Sequence, residues 1–116
     1  GFKYVLDWPN DELPYVMRTP HGPLVGVPML IDFDDVFAHW HRKLSLARWR
    51  QAITEGVDRL LEDGRKQPRV LVLNLHPWLI GQAWRITYLA EVLADLRRRA
   101  GIWFTTTGQI AELAMR

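Results

Sequence analysis

Two polar side chains follow apolar runs of the sequence and could carry acid–base chemistry. His76 ends the apolar run 69–75 and Asp7 ends the run 2–6, each with a tryptophan within two positions. Catalytic side chains of α/β folds lie at the carboxyl ends of strands. A histidine there can donate or accept a proton near neutral pH, and an ionised aspartate beside it would raise its pKa. The sequence therefore predicts an acid–base pair; the alternative is two ordinary polar residues bonded to the backbone.

Other polar clusters give weaker indications of chemistry. His39 and His41 would face the same side of a strand, but on a helix they would point about 160° apart. The acidic residues Asp32, Asp34 and Asp35 are expected to be solvated rather than bound to a metal. The chain has no cysteine, which excludes disulfides and Cys-ligated zinc. It also lacks phosphate-loop, dinucleotide-binding and serine-hydrolase motifs, so we predict no metal or cofactor within it.

The elements that must position His76 and Asp7 alternate between strands and helices. Short apolar runs predict strands at 2–6, 27–33, 69–75 and 102–105. Apolar residues spaced three and four apart predict helices over 45–64 and 83–100, and a last helix runs from about 106 to 115. Both parities of the run 69–75 are apolar, as in a strand covered on both faces. The pattern predicts an α/β fold with parallel strands, and the proline-rich stretch 7–26 is predicted to be a long active-site loop.

The predicted helices should each pack one apolar face on the sheet. These faces are Leu46/Trp49/Ile53/Val57 and Ile86/Leu89/Leu93/Leu96. A whole (β/α) barrel needs about 250 residues, whereas this chain has 116. Half of a barrel leaves strand edges uncovered. We therefore expect either that the chain is a fragment of a larger fold or that its small sheet closes by pairing with another copy, as a homo-oligomer.

The composition is that of an ordinary globular chain. It is 48% hydrophobic and 24% charged, with a formal net charge of +2, which argues against disorder and gives no reason to expect a nucleic-acid partner. No apolar run approaches the roughly 18 residues of a membrane span. The start at Gly1 has neither an initiator Met nor a signal-peptide layout, which suggests a segment of something longer. The compartment is unknown, and the lack of disulfides favours the cytoplasm.

Four stretches of the chain resemble one family. The stretch 73–86 (LNLHPWLIGQAWRI) resembles the last motif of the polysaccharide deacetylase superfamily, in the branch that contains the cofactor-independent allantoinase. The stretch 7–15 (DWPNDELPY) resembles the Asp-Trp motif of that branch. The stretches 27–35 and 102–111 resemble the segments that follow in the family. This resemblance spans essentially the whole chain, and it implies the C-terminal part of a distorted (β/α) TIM-like barrel. It further implies that 1–116 is a single partial domain, which would associate with the missing amino-terminal half or form a homo-oligomer.

The resemblance also implies roles for individual residues. His76 would be the general acid that protonates the leaving nitrogen, and Asp7 would pair with it and tune its pKa. Trp8 and Trp78 would form apolar walls of the substrate pocket. The parent would hydrolyse non-peptide carbon–nitrogen bonds, in an N-acetylated sugar or in a small cyclic amide such as a ureide. The alternative is that the chain is not catalytic and serves as an assembly surface for the rest of the barrel or for another copy.

Parts of the family's machinery have no counterpart in the sequence. The early T-F-D-D-like motif, which carries the catalytic base, and the H-[ST]-x-x-H metal motif are both absent. The D-F-D-D stretch 32–35 is similar to the first motif only superficially and follows the Asp-Trp motif, so the role of base is not transferred to it. A zinc-like divalent metal is therefore expected only in the complete parent enzyme, and the isolated chain is expected to be inactive.

Overall fold

A small mixed sheet lies at the amino-terminal end of the chain. In the computed structural model, which describes residues 1–116, the strands are β1 (Tyr4–Val5), β2 (Tyr15–Thr19) and β3 (Gly22–Gly26). They lie in the order β1-β3-β2, and β3 runs parallel to β1 and antiparallel to β2. The sheet places the end of β1, and with it Asp7, next to the chain that leaves β3.

The predicted long loop 7–26 is wrong for its second half, because that half forms the β2–β3 hairpin. Side chains along β2 alternate between half-buried and exposed, which is the pattern of a strand covered on one face. Gly22 closes the turn with a φ of +112°, a backbone conformation that residues other than glycine rarely adopt. The proline and glycine residues that suggested a loop therefore mark a hairpin turn within it.

The rest of the chain is mostly helical. A 3₁₀ helix at Ile31–Phe33 and a π-helix at Phe37–His41 are followed by α1 (Leu46–Asp63), α2 (Pro77–Ile80), α3 (Ile86–Arg98) and α4 (Thr107–Ala114). The predicted boundaries of α1 and α4 are confirmed, because Ser45 and Thr106 cap them through their side chains. The predicted helix 83–100 is shorter at both ends in the structure.

The segment 70–75 lies between two apolar clusters. Leu71, Leu73 and Leu75 pack against the larger cluster, which α1 and α3 build around Trp49. Val70 and Val72 pack against the smaller cluster of Val25, Val27 and Ala111. Apolar residues therefore lie against both faces of this run, as the sequence pattern predicts, but its side chains stay half-buried. The segment carries His76 at its carboxyl end.

The prediction of parallel strands at 69–75 and 102–105 is wrong, because neither segment belongs to the sheet. The N–H groups of 71–75 make no hydrogen bond within the chain; only the ends of the segment are tied, through Val70 N–H to Glu12 O and Asp35 N–H to Asn74 O. The predicted strand 27–33 begins with a ladder bond from Val27 N–H to Val5 O and then turns into the 3₁₀ helix.

The predicted apolar face of α3 is correct only in part. Leu89 and Leu96 are buried with Val92, whereas Ile86 and Leu93 are about 40% exposed. The helix is therefore rotated from the predicted orientation, so that Val92 faces α1. This orientation closes the core between α1 and α3 and leaves part of the predicted face open.

The molecule is flat and its core is thin. Its extents are 46 × 30 × 20 Å and its radius of gyration is 15.2 Å, compared with about 13 Å for a compact domain of this length. The accessible surface is 8016 Å², compared with about 6,600 Å² for a compact protein of this mass. None of the helices combines the length and the apolar character needed to cross a bilayer.

Candidate active site

A buried carboxylate holds His76 at the carboxyl end of the segment 70–75. One oxygen of Asp35 lies 2.7 Å from His76 Nδ1, and the other accepts the His76 backbone N–H at 2.9 Å. Asp35 is fully buried, whereas the His76 side chain is about a third exposed. Because a carboxylate only accepts hydrogen bonds, Nδ1–H is the donor to Asp35. Nε2 makes no hydrogen bond within the chain, so it is the ring nitrogen that remains open to another partner.

Local sequence explains how the two residues meet. His76 precedes Pro77, and its extended backbone (φ −112°, ψ 111°) is the conformation that a following proline imposes. Asp35 follows the 3₁₀ helix at the end of the run that leaves β3. Its neighbour Asp34 accepts the Phe37 N–H at 2.7 Å and Asn74 Nδ2 at 2.6 Å. These bonds join the two chain segments directly beneath His76.

The environment favours the charged form of His76. The hydrogen bond to Asp35 is the main cause that raises the pKa of His76 above its ordinary value of 6.5. Partial burial opposes this effect, and the negative charges of Asp35 and Asp34 reinforce it. Relative to a free histidine, the site therefore favours the imidazolium form of His76, which can donate a proton.

The predicted partner of His76 is replaced by another residue. Asp7 is exposed and makes no hydrogen bond with His76. Asp35, which was expected to be solvated, takes that position instead. The signal that could have identified it is positional: Asp35 follows the apolar run 27–33 closely, just as His76 follows 69–75.

Two tryptophans extend the site along the surface. Trp78 packs edge to face with the His76 ring at a centroid distance of 5.9 Å, and Trp40 packs with Trp78 at 6.2 Å. Both tryptophans are more than half exposed. Trp8 is equally exposed and has no aromatic contact with His76 or Trp78. Trp40, on the π-helix, was not among the predicted site residues.

The carboxylates beside His76 are already engaged in hydrogen bonds. Ligand atoms of Asp34, Asp35 and His76 lie within 4.8 Å of one another. However, both oxygens of each carboxylate already accept hydrogen bonds, including the bond from His76 Nδ1. A cation on His76 Nδ1 would have to displace its bond to Asp35.

The two histidines of the H-W-H stretch also do not form a joint metal site. His39 is held by Leu44 O at 2.9 Å from Nδ1 and packs on the Trp49 ring. His41 is exposed and packs against Phe37 on the π-helix. The helical alternative considered from the sequence, in which the two rings diverge, is therefore the relevant geometry.

A cleft of about 270 Å³ opens beside His76 and is lined by Asp34, Phe37, His41 and Asn74, among others. A larger cleft of about 430 Å³ lies between α1 and α3 and is lined mainly by ion-paired side chains such as Arg50–Glu91. The larger cleft contains none of the predicted site residues. The candidate active site is therefore the smaller cleft, with His76 at its edge.

Comparison with known proteins shows which fold family the chain is similar to. No protein-family model and no curated protein sequence matches the chain. Two solved structures match it with 27% identity over 97% of its length: a "probable polysaccharide deacetylase" from Pseudomonas aeruginosa PAO1, with a TM-score of 0.88, and PuuE allantoinase, with a TM-score of 0.89. The chain has the fold of the polysaccharide deacetylase superfamily.

The structural similarity covers nearly all of this chain but less than half of each matched structure. The chain spans 38% of the length of each of those two structures. A third structure, from Mycobacterium smegmatis, is 22% identical with a TM-score of 0.85 over 99% of this chain and 42% of that one, and it supports the fold alone. The resemblance stated from the sequence motifs is therefore confirmed, and the fold is similar to the C-terminal part of the deacetylase barrel neighbours.

Proposed function

We propose that this chain is part of a hydrolase that acts on non-peptide carbon–nitrogen bonds of amides, with His76 as its general acid. The observation that carries the proposal is the 2.7 Å bond between His76 Nδ1 and the fully buried Asp35. Such a carboxylate fixes the ring orientation and stabilises the imidazolium. The likeness to a deacetylase and to an allantoinase supports amide hydrolysis as the reaction class.

The chemistry assigned to His76 is protonation of the leaving nitrogen. After water adds to the amide carbon, the tetrahedral intermediate collapses only when its nitrogen accepts a proton, and Nε2–H of the imidazolium donates it. The C–N bond then breaks, and His76 is left neutral with its remaining proton on Nδ1, bonded to Asp35. The base that removes the proton from water is expected in the part of the parent that this chain lacks, as the family resemblance implies.

We further propose that the chain forms the C-terminal part of a TIM-like barrel and is completed by the missing half or by a second copy. The excess accessible surface and the unbonded N–H groups of 71–75 support this proposal. By itself the chain is expected to be inactive. Trp78 is proposed as one wall of the substrate pocket. Trp8, on the exposed stretch after β1, is proposed as a second wall.

A chimera tests the assignment of His76. The equivalent 38% of the Pseudomonas protein would be replaced by this chain, and release of acetate from N-acetylglucosamine oligomers and hydrolysis of allantoin would be measured. We expect one of the two substrates to be hydrolysed. His76→Gln should lower kcat by about 10²- to 10⁴-fold, the usual contribution of general acid catalysis.

The matched control is His21→Gln, because His21 is exposed in the β2–β3 turn and lies outside the cleft. This variant should keep most of the activity. A chimera that stays fully active with His76→Gln would contradict the proposal. A folded chimera that hydrolyses neither substrate would favour the non-catalytic assembly role. If the chimera does not fold, NMR titration of His76 in the isolated chain tests the proton-donor assignment.

A further inference from the structure

The turn after the π-helix contains the only residue other than glycine with a positive φ. Lys43 has a φ of +56°, and the chain reverses around it so that Leu44 N–H donates to Ala38 O at 2.9 Å. This is the left-handed position at a helix end that glycine normally occupies, because a side chain there is crowded against the backbone. Strain of this kind is found disproportionately at functional sites.

The unfavourable backbone conformation of Lys43 places its ammonium group beside Trp40. Lys43 Nζ lies 5.8 Å from the centroid of the Trp40 ring. Trp40 contacts Trp78, which in turn contacts His76. The π-helix that carries Trp40 is itself a rare element that is concentrated at functional sites. A continuous row of groups therefore runs from the proposed general acid to Lys43.

We propose that Trp40, Trp78 and Lys43 form a subsite for the sugar unit that adjoins the N-acetylated unit reacting at His76. This proposal rests on the proposed function. A sugar ring offers a face of C–H groups that packs on tryptophan, and its hydroxyl and acetyl oxygens accept hydrogen bonds from an ammonium. Both tryptophans present more than half of their surface, so an extended chain can reach them without an enclosed pocket.

The length of the row favours an oligosaccharide over a small cyclic amide. The steps from His76 to Trp78 and from Trp78 to Trp40 are each about 6 Å between ring centroids. A single small ring that reacts at His76 reaches Trp78 but leaves Trp40 and Lys43 uncovered. Trp40 and Lys43 would therefore determine preference for an extended substrate, whereas Trp78 would serve either substrate.

Indole N–H NMR signals of the purified chain test the subsite. The probes are the tetramer of N-acetylglucosamine, the single sugar and allantoin. We expect the tetramer to shift the Trp40 and Trp78 signals, and to bind about three- to ten-fold more weakly to Trp40→Ala and Lys43→Gly. The matched control is Trp84→Ala, because Trp84 is also exposed beside a cation, Arg85, but contacts no second aromatic ring.

Lys43→Gly keeps the test independent of folding, because it removes the ammonium while relieving the backbone. The proposal is overturned if the tetramer leaves the Trp40 signal in place, or if tetramer and single sugar bind equally well. A Trp40 signal that moves with protein concentration and not with sugar would instead make this surface an interface between copies. If the His76 pKa is raised while binding fails, the subsite alone is lost; an ordinary His76 pKa would remove the proposed function itself.

Discussion

Replacing Asp35 with asparagine separates the charge of the buried carboxylate from its shape. The carboxylate accepts three hydrogen bonds, from Val36 N–H at 2.9 Å, His76 N–H at 2.9 Å and His76 Nδ1 at 2.7 Å. Asparagine offers one oxygen and one NH₂ group in the same space. At least one of these donors would then face the NH₂ group and lose its acceptor.

The size of the effect follows from that lost acceptor. Leaving a buried donor without a partner costs about 1–3 kcal/mol, which is a large share of the roughly 5–15 kcal/mol that stabilises a typical domain. We expect Asp35→Asn to lower the free energy of unfolding by about that amount. The pKa of His76 should also fall towards its ordinary value, because its main cause of elevation is removed. Urea unfolding followed by tryptophan fluorescence and NMR titration of His76 measure the two effects.

Asp7→Asn is the matched control, because it makes the same chemical change at an exposed carboxylate that does not bond to His76. It should change stability by less than about 0.5 kcal/mol and leave the pKa of His76 unaltered. Equal effects from both variants, or no effect from Asp35→Asn, would refute the assignment of Asp35 as the partner.

Further predictions concern pH, backbone strain, packing and association. Since the folded pKa of His76 is raised above 6.5, the His76–Asp35 pair stabilises the fold fully below about pH 6.5 and less as pH rises through the folded pKa. Urea unfolding between pH 6 and 9 should show this decline in the free energy of unfolding, and the control variant His76→Gln should not show it. Lys43→Gly should raise the free energy of unfolding by about 0.5–1 kcal/mol, because the left-handed φ suits glycine; a loss of stability would show that the turn is unstrained. Gly56→Ala on α1 should lower it by about 1 kcal/mol in thermal unfolding, because the added methyl group meets the Phe33 ring; a gain from helix propensity would mean that the ring moves aside freely. Sedimentation at low micromolar concentration should show association, and a compact monomer at all concentrations would oppose the proposed incomplete barrel.

Helix positions could be predicted from the sequence because their signals are local. The capping residues Ser45 and Thr106 bond to backbone N–H groups three residues away, so the caps form without help from distant parts of the chain. The burial of Leu71 and Val70 on opposite sides also followed from the apolar pattern. Assignment of 69–75 as a strand failed because a strand requires a neighbour at its edge, which the pattern of one segment does not supply.

The part of the site that lies at the end of an apolar run could be predicted from the sequence. His76 could be identified from the apolar run that precedes it and the proline that follows it, whereas the role of Trp78 came from the family resemblance. Asp35 was missed because its burial depends on Asn74 and His76, which are about 40 residues away in the chain. Trp40 was missed because a π-helix shifts the helical register, so ordinary spacing does not predict which side chains it presents.

The titration of the His76 ring in the purified chain, followed by its ring nitrogen NMR signals, tests the central claim most directly. We predict a pKa above 6.5, with Nδ1 still protonated and Nε2 losing the proton as pH rises, because Nδ1–H is bonded to Asp35. Asp35→Asn should abolish the elevation. A pKa at or below 6.5, or a neutral ring that keeps its proton on Nε2, would contradict the account of His76 as a proton donor held by Asp35.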